Sequence, residues 1–537
     1  MKLSGAQAII KVLLEQGVDT VFGYPGGQVI PLYNALYDAP LRNVLTAHEQ
    51  GAIHAADGYA RASGRTGVCI ATSGPGATNI VTGLATAYLD SVPLVAITGQ
   101  VSVANLGRDS FQEIDIVGVT LPITKYNILV RKPEDLLPAL RQAFYLAQEG
   151  RPGPVLVDVP SNLQVGDVEW MEAEPLTPPV METAREEILE AAAVTITNAR
   201  QPVFLVGGGA VHSGAAEEVL RFARKTGMPV VNTLMGIGVF PGSDRQCLGL
   251  TGMHGHIAAN MAVANADVLI VAGSRFSERV TGDRNRYVGK KTIIQLDIDP
   301  SEVDKNVMTA LPLVGDMKEN LNKLSERVKK LDIEHWWHTI KAWDATENRE
   351  AQSGERLTAP WLMKELTRSF KGEDTVFVTD VGQNQMWAAL HLEVDAPRHH
   401  LTSGGCGTMG FGLPAALGAK IALPEAQIVH ICGDGGFKMT GMEIYTSMRE
   451  SAPFITVVIN NSCLGMVRQW QQVFYDKRYS STILTPFNFV GFAKACGADG
   501  ATVTTCAEFT AALAKARKQG KNFLIEAVVE QSDLVEP

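Results

Sequence analysis

Short apolar runs alternate with helix-like segments along almost the whole chain of 537 residues. This pattern is typical of parallel sheets covered by helices. Two stretches interrupt it: residues 171–185 are rich in Pro and Glu, and residues 329–360 are polar and charged. We interpret both stretches as linkers. The chain is therefore predicted to form three α/β domains, at 1–170, 186–335 and 356–537.

The first and third domains repeat one local order of elements. Residues 67–100 and residues 427–461 each predict a strand, a Gly-rich turn, a helix and a second strand, with similar spacing. We expect two related, doubly wound domains with parallel sheets on either side of a different one. The middle domain has its own strand-to-glycine turn, "QPVFLVGGGAVHSG" (201–214), which is typical of a Rossmann-like fold.

Composition narrows the class of protein. The net charge of -10 and the pI of about 5.6 argue against a nucleic-acid partner. No apolar segment approaches the roughly 20 residues of a membrane span, and the N-terminus predicts an amphipathic helix and a strand, not a signal peptide. The seven cysteines are scattered without a C-x-x-C pair, which argues against zinc or disulfides and for a reducing compartment. We expect a cytoplasmic protein.

A carboxylate and an amide each follow a predicted strand of the third domain. Asp434 comes after "IVHICG" and Asn461 after "FITVVIN". A Gly-rich turn at a helix N-terminus favours a diphosphate, and Mg²⁺ takes oxygen ligands. Asp434 alone would suit a helix cap equally well. The second strand end favours a metal site, in which the backbone carbonyl of Cys463 would be a third ligand.

These motifs, G-D-G followed by N-N, resemble the thiamin diphosphate signature. The resemblance extends over nearly the whole chain, through "VFGYPGG", "HEQGAIHAADGYARASG", "DSFQEIDIVG", "TGMHG", "RFSERVTG", "SGGCGTMGFGLPAA" and "LGMVRQWQ". Together these segments resemble the acetohydroxyacid synthase (acetolactate synthase) catalytic large subunit. The resemblance implies decarboxylation of pyruvate on thiamin diphosphate and transfer of the two-carbon unit to a second 2-ketoacid, pyruvate or 2-ketobutyrate. In the family this is the first common step of branched-chain amino acid biosynthesis.

The resemblance also assigns cofactor residues. Glu49 of "HEQ" would hydrogen-bond to the pyrimidine ring of the cofactor, although from composition alone it would be a solvated first-turn carboxylate. Met409 would be the apolar wedge under the cofactor, and the Gly407 carbonyl would accept a hydrogen bond from the amino group of the cofactor. The other residues assigned to thiamin diphosphate are Gln383, Asn384, Gly433, Gly435, Gly436, Leu464, Gly465 and Met466. For an FAD without a redox role the resemblance assigns Arg151, Gly207, Gly208, His254, Gly273, Arg275, Asp297 and Asp299.

Substrate residues and assembly follow from the same resemblance. Arg279 would bind the carboxylate of the acceptor, for which its planar fork is suited. The apolar lining would comprise Trp470, Met253, Val381 and Met466, and the positions near the reacting centre are Phe111, Gln112 and Lys125. Because Glu49 and Asp434 lie in different domains, the family's arrangement places the site across a subunit interface of a homodimer or tetramer. A separate regulatory small subunit is a further partner in the family.

Some positions depart from the family pattern. Ser277 and Glu278 stand where two Asp are usual, Asn384 stands where a His commonly meets the diphosphate, and Tyr126 replaces a usual His. The chain ends at "EQSDLVEP", before the Pro- and Val-rich tail typical of the family. These departures keep an alternative open: an FAD-independent catabolic acetolactate synthase, or another 2-ketoacid carboligase or decarboxylase. A catalytically silent subunit is disfavoured because Glu49, Asp434 and Asn461 are all present.

Overall fold

The computed structural model describes residues 1–176, 181–346 and 356–535. Within these ranges the chain forms three six-stranded sheets, in which all neighbouring strands are parallel, and one two-stranded antiparallel pair, Lys2–Ser4 with Asp167–Glu169. The apolar runs of the sequence become strands that are buried on both faces, for example Leu94–Gln100 and Pro154–Pro160. Such burial is what helices on both sides of a parallel sheet produce.

The sheet of the first domain has the spatial order Arg42–Leu45, Thr20–Tyr24, Gly67–Ala71, Leu94–Gln100, Pro154–Pro160, Tyr126–Leu129. The α-helices of this domain are Gly5–Glu15, Ile30–Tyr37, Glu49–Ser63, Pro75–Asn79, Val81–Asp90, Ile116–Thr120, Leu136–Gln148 and Ser161–Val165.

The sheet of the third domain has the order His400–Leu401, Thr375–Thr379, Gln427–Gly433, Ile455–Asn460, Phe523–Val528, Asp499–Val503. Its helices are Ala359–Ser369, Gln383–His391, Gly412–Ala422, Asp434–Thr440, Glu443–Arg449, Gly465–Phe474, Phe489–Ala495 and Cys506–Gln519. When strands are numbered along each domain, the first and third sheets share the order 2-1-3-4-6-5. The predicted relation between these two domains is therefore confirmed.

The middle sheet has the order Cys247–Leu250, Val230–Asn232, Pro202–Val206, Val268–Ala272, Thr292–Asp297, Leu311–Val314. This is the order 3-2-1-4-5-6 of a Rossmann fold, as the sequence predicts. Its helices are Glu186–Thr197, Gly208–His212, Ala216–Thr226, Ile257–Asn265, Glu278–Thr281, Arg284–Val288, Met317–Arg327 and Glu334–Asp344.

The helix Glu334–Asp344 corrects the interpretation of residues 329–360 as a linker. Trp336 is fully buried in the core of the middle domain, and its indole N–H donates to the Pro202 carbonyl at 3.2 Å. The many charged residues around Trp336, Ile340 and Trp343 conceal the apolar face of this helix in the sequence. Parts of both predicted linkers, 177–180 and 347–355, lie outside the described residues, and the domain limits remain predictions.

Two glycine-containing helices join the first and third domains. A Cβ at Gly418 in the helix Gly412–Ala422 would lie 1.9 Å from the Ala55 carbonyl oxygen, and one at Gly58 would lie 2.2 Å from that of Ala415. Only glycine permits so close an approach of the two backbones. One apolar core cluster accordingly contains residues of both domains. This packing fixes the helix Glu49–Ser63, which begins at a predicted catalytic residue, against the third domain.

In the part of the chain that the structure describes, no helix is both long enough and apolar enough to cross a membrane.

Candidate active site

A pocket lies at the carboxyl ends of three adjacent strands of the third sheet. These strands end at Thr379, Gly433 and Asn460, and the residues that follow them line a cavity of about 430 Å³, counting the part open to solvent. The carboxyl edge of a parallel sheet is where α/β domains bind ligands. Among the described residues the lining comes entirely from the third domain, between Val381 and Val467.

Three helices begin at this pocket. They start at Gln383, Asp434 and Gly465, and the residues at each start belong to the lining. Helix N-termini carry unpaired N–H groups and the positive end of the helix dipole. Their convergence makes the pocket suitable for a group with several negative charges, such as a diphosphate.

Asp434 and Asn461 are both almost completely buried, at 3% and 7% exposure. Burial raises the pKa of Asp434 to about 6, although the Gly435 amide and the charge of Lys438 counteract this effect. The Asn461 side chain donates from Nδ2 to Gln383 Oε1 at 3.0 Å, while its Oδ1 accepts from the Cys463 amide at 3.3 Å. Cys463 lines the same pocket. The structure thus brings together all three residues predicted to bind the metal.

The other predicted thiamin diphosphate residues of this domain lie around the same pocket. The lining includes Gln383, Asn384, Met409, Gly433, Gly435, Gly436, Leu464, Gly465 and Met466. Gly407 is adjacent, since its Cβ would lie 3.9 Å from Val381 Cγ1. Asn384 is buried, and its Oδ1 has no hydrogen-bond partner among the described residues. A buried amide without a partner for one end is the kind of group that a ligand satisfies.

Glu49 and Gln112 lie together in the first domain, at the carboxyl edge of its sheet. Glu49 is the first residue of the helix Glu49–Ser63 and accepts from Asn79 Nδ2 at 3.0 Å. A Cβ at Gly76 would lie 3.3 Å from its Oε1. Gln112 packs on Gly74, two residues before Gly76, and its backbone is left-handed with a φ of 62°. Neither residue belongs to the lining of the pocket around Asp434, and their predicted roles stay predictions.

Lys125 is not brought near Glu49 or Gln112 within one chain. It precedes the strand Tyr126–Leu129, at the amino end of the first sheet, and its Nζ donates to the Glu149 carbonyl. Burial lowers the pKa of Lys125, with the charges of Glu149 and Asp299 acting in the opposite direction. Its predicted position near the reacting centre stays a prediction. Phe111, by contrast, is 83% exposed beside Gln112.

The predicted acceptor residues form a cluster next to the pocket. The Arg279 guanidinium lies 5.4 Å from the centre of the Trp470 ring, and its Nη1 lies 3.1 Å from Met253 Sδ. Trp470 is one helical turn beyond Met466, which lines the pocket. Val381 lies in the lining as well. Arg279, Trp470 and Met253 remain partly exposed, so a small carboxylate has access to the cation.

The residues predicted for FAD converge at the carboxyl edge of the middle sheet. The turns Gly207–Gly209 and Gly273–Arg275 follow neighbouring strands, Pro202–Val206 and Val268–Ala272, where the strand order reverses. Dinucleotides bind at this topological switch point.

The charged residues predicted for FAD have partners within the protein. Arg151 Nη1 pairs with Glu302 at 2.8 Å and lies 3.6 Å from Asp299. Burial raises the pKa of Asp297, on the adjacent strand, to about 6. Arg275 donates to the Leu89 carbonyl, and His254 lies near Arg279, on the acceptor side of the domain.

Comparison with known proteins agrees with this geometry. Three family descriptions of the thiamine pyrophosphate enzymes match the chain: the N-terminal TPP binding domain at residues 3–119, the central domain at 189–324 and the C-terminal TPP binding domain at 380–527. The probable acetolactate synthase large subunit of Methanocaldococcus jannaschii is 44% identical over 549 residues, which cover 99% of this chain and 93% of that protein.

Two proteins of Escherichia coli are similar over their length. Its acetolactate synthase isozyme 2 large subunit is 43% identical over 544 residues, covering 100% of this chain and 97% of the relative. Its isozyme 3 large subunit is 40% identical over 558 residues, covering 100% and 96%. The chain belongs to the acetolactate synthase large-subunit family of thiamine pyrophosphate enzymes. Thiamine pyrophosphate is the same compound as thiamin diphosphate.

The structure adds a residue that the sequence analysis misses, Asp380. It is buried, and its carboxylate accepts from the amides of Val381, Gly410 and Gly412 at 2.7 to 3.1 Å. It thereby ties the start of the pocket to the loop that carries Gly407 and Met409. A signal for it exists in the sequence: like Asp434, it follows an apolar strand and precedes a glycine turn, in "VFVTDVG".

A second residue that the sequence analysis misses is Asn260, which holds the loop beside Arg279. Its side chain accepts from Gly252 N at 2.8 Å and donates to the Gly252 carbonyl at 2.9 Å. The loop that it holds carries Met253, whose amide donates to the Arg279 carbonyl at 2.8 Å. Of the departures from the family pattern, Glu278 lies beside Arg279, with 3.7 Å between Oε1 and Nε.

Proposed function

We propose that this protein is an acetolactate synthase that condenses pyruvate with a second 2-ketoacid, pyruvate or 2-ketobutyrate, and releases CO₂. The observation that carries the proposal is the pocket in which three helix N-termini surround Asp434 and Asn461, next to the Arg279–Trp470–Met253 cluster. The pocket suits a diphosphate cofactor, and the cluster suits a small carboxylate with a short alkyl group. Relatives named acetolactate synthase match over the whole chain.

The residues present fit Mg²⁺ and the diphosphate. Mg²⁺ takes oxygen ligands and uses only one or two carboxylates, which matches Asp434, the Asn461 amide oxygen and the Cys463 carbonyl. Asn384 donates from Nδ2 to the Val381 carbonyl at 3.3 Å and leaves Oδ1 without a partner, so a turn of this amide would exchange that bond for one from Nδ2 to the diphosphate.

Thiamin diphosphate, when bound, supplies the electron sink that allows a 2-ketoacid to lose CO₂. The residues of this chain supply placement and electrostatics. Met409 would give the cofactor an apolar support, and the Glu49 carboxyl group would form a hydrogen bond with a ring nitrogen of its pyrimidine. Arg279 binds the carboxylate of the acceptor, while Trp470 and Met253 limit the size of its alkyl group.

The active site is proposed to form between two copies of the chain. Glu49 belongs to the first domain, and the pocket around Asp434 is lined only by third-domain residues among those described. A homodimer, alone or within a tetramer, would bring Glu49 of one copy to the pocket of the other. Because the relatives are named large subunits, we also propose a smaller regulatory subunit as a partner. We expect these components in the cytoplasm.

FAD is proposed at the carboxyl edge of the middle sheet. Arg151 and Arg275 would meet its diphosphate, the turns at Gly207, Gly208 and Gly273 would allow close approach, and Asp297 or Asp299 would bind ribose hydroxyls. The Arg151–Glu302 ion pair favours the second candidate, an acetolactate synthase that works without FAD, because this pair already neutralises the arginine.

The test is to incubate the purified protein with pyruvate, thiamin diphosphate and Mg²⁺, with and without FAD, and to measure acetolactate and CO₂ together. The proposal expects two pyruvates consumed for each CO₂, with acetolactate formed only when FAD is present. Acetolactate without FAD would identify the second candidate. Release of CO₂ with acetaldehyde, or no turnover under either condition, would reject both. Asp434→Asn is the matched control, in which turnover should be lost.

A further inference from the structure

The start of the helix Glu49–Ser63 is held by a residue of the other cofactor-binding domain. Glu443 is 2% exposed, and both of its carboxylate oxygens lie 3.1 Å from the Ala47 amide, two residues before Glu49. The Thr446 hydroxyl donates to Glu443 Oε2 at 2.6 Å, which fixes the orientation of the carboxylate. The segment before Glu49 therefore lies against an anion from the third domain.

The sequence of the helix makes room for this contact. A Cβ at Gly51 would lie 1.9 Å from Glu443 Oε1, so any side chain at position 51 would expel the carboxylate. A buried negative charge at the N-terminus of a 15-residue helix is stabilised by the helix dipole and by the free amides of the first turn. Neighbouring contacts hold the same segment: Arg449 donates to the Leu45 carbonyl at 2.6 Å, and Arg42 donates to the Glu450 carbonyl at 2.7 Å.

We propose that Glu443 is a positioning residue that fixes the direction of the Glu49 carboxylate towards its cofactor. The inference rests on the proposed function, because it takes Glu49 as the residue that meets the pyrimidine ring. It goes beyond that function, since Glu443 of the third domain would then position Glu49 of the first domain in the same chain. Asp434 and Glu443 begin successive helices, Asp434–Thr440 and Glu443–Arg449, yet they serve different active sites of a dimer.

The variant Glu443→Gln tests this role. Glutamine keeps one acceptor for the helix start, loses the charge and turns an N–H₂ group towards N–H donors. A misplacement of about 1 Å at a reacting group lowers the rate about 100-fold, so kcat should fall by about this factor. The dissociation constant of Mg²⁺–thiamin diphosphate should stay within about twofold of wild type, because the pocket around Asp434 is unchanged. Glu450→Gln, which removes a charge about two helical turns beyond Glu443 and keeps the backbone carbonyl that meets Arg42, should keep wild-type kcat.

Mixed dimers separate positioning from general damage to the third domain. In a dimer of E443Q with D434N, one site combines an intact pocket with a well-placed Glu49, so mixing should restore about a quarter of wild-type activity at random association. A mixture of E443Q with E49Q should stay as inactive as E443Q, because both variants damage the same half-site. Damage confined to the third domain would give the opposite pattern.

The outcomes distinguish the two claims. Absence of recovery in a mixture of E49Q with D434N rejects the two-chain site of the proposed function. Wild-type kcat in E443Q, or rescue of E443Q by E49Q instead of D434N, rejects the role of Glu443. If E443Q does not fold, Thr446→Val removes only the hydroxyl that orients Glu443. It should show a smaller loss, about tenfold, with the same pattern of rescue, and wild-type kcat in that variant rejects the role as well.

Discussion

Gly465→Ala should damage the metal site through a second residue. A Cβ at Gly465 would lie 1.9 Å from Gln383 Oε1 and 2.9 Å from Asn461 Nδ2. Gln383 must then move, and it would give up its hydrogen bonds to Asn461 at 3.0 Å, to Gln469 at 3.0 Å and to the Asp533 carbonyl at 3.2 Å. Three bonds at about 0.5–1.5 kcal/mol each outweigh the gain of about 0.5–1 kcal/mol from alanine in a helix. We expect the free energy of unfolding without cofactor to fall by about 0.5–4 kcal/mol, the difference between these two ranges.

Cofactor affinity should fall as well, because Asn461 loses the partner that orients it. Loss of such a partner weakens metal binding about 10- to 100-fold. The assays are urea denaturation of the protein without cofactor and calorimetric titration with Mg²⁺ and thiamin diphosphate. Gly433→Ala is the matched control within the same pocket: its Cβ would make an ordinary contact of 3.5 Å with Asn384, so the unfolding free energy should be unchanged. Equal stability of the two variants, or unchanged cofactor affinity in Gly465→Ala, would refute the reasoning.

Three further predictions concern catalysis, specificity and pH. Glu49→Gln should leave Mg²⁺–thiamin diphosphate binding largely intact and slow turnover severely; unchanged turnover would remove the central mechanistic claim. Arg279→Lys should raise KM for the acceptor more than it lowers kcat, since lysine lacks the planar fork. Steady-state kinetics with 2-ketobutyrate as acceptor measure both constants, and an unchanged KM would contradict the prediction. Burial raises the pKa of Asp158 to about 7. The folded state therefore binds this proton more tightly than the unfolded state, and the free energy of unfolding should fall as the pH rises from about 4 to 7. Asp158→Asn, which mimics the protonated form beside Thr98 and Gln100, should flatten that dependence in denaturation curves, and an unaltered slope would show that another group is responsible.

The sequence predicts well those features that depend on strand ends. Asp434 and Asn461 follow apolar runs, and the carboxyl ends of neighbouring parallel strands meet at one edge, so their proximity follows from the pattern. The fold class follows from the same alternation of strands and helices. The residues Glu49, Arg279 and Trp470 required the family resemblance, because their types alone are also common at a protein surface.

Long-range contacts explain what could not be predicted. Glu443 looks like a solvated residue of an amphipathic helix, and its partner Ala47 is 396 positions away. The helix Glu334–Asp344 is concealed by charges around its tryptophans, whose burial depends on the middle sheet. The resemblance alone places Lys125 near the reacting centre, and its position before the strand Tyr126–Leu129 becomes visible only in the sheet. These are effects of tertiary packing on residues whose local pattern is ambiguous.

The separation of Glu49 from the Asp434 pocket has a consequence for work at low protein concentration. In the proposed two-chain site, a single copy would keep its three folded domains and its whole metal pocket, yet it would lack the Glu49 carboxylate of the second copy. Dilution below the dissociation constant of the dimer should therefore lower the specific activity while the protein stays folded. Cofactor and substrate, which would bridge the two copies of the proposed dimer, should reverse this loss by mass action. Measured rates would then depend on enzyme concentration more steeply than in direct proportion.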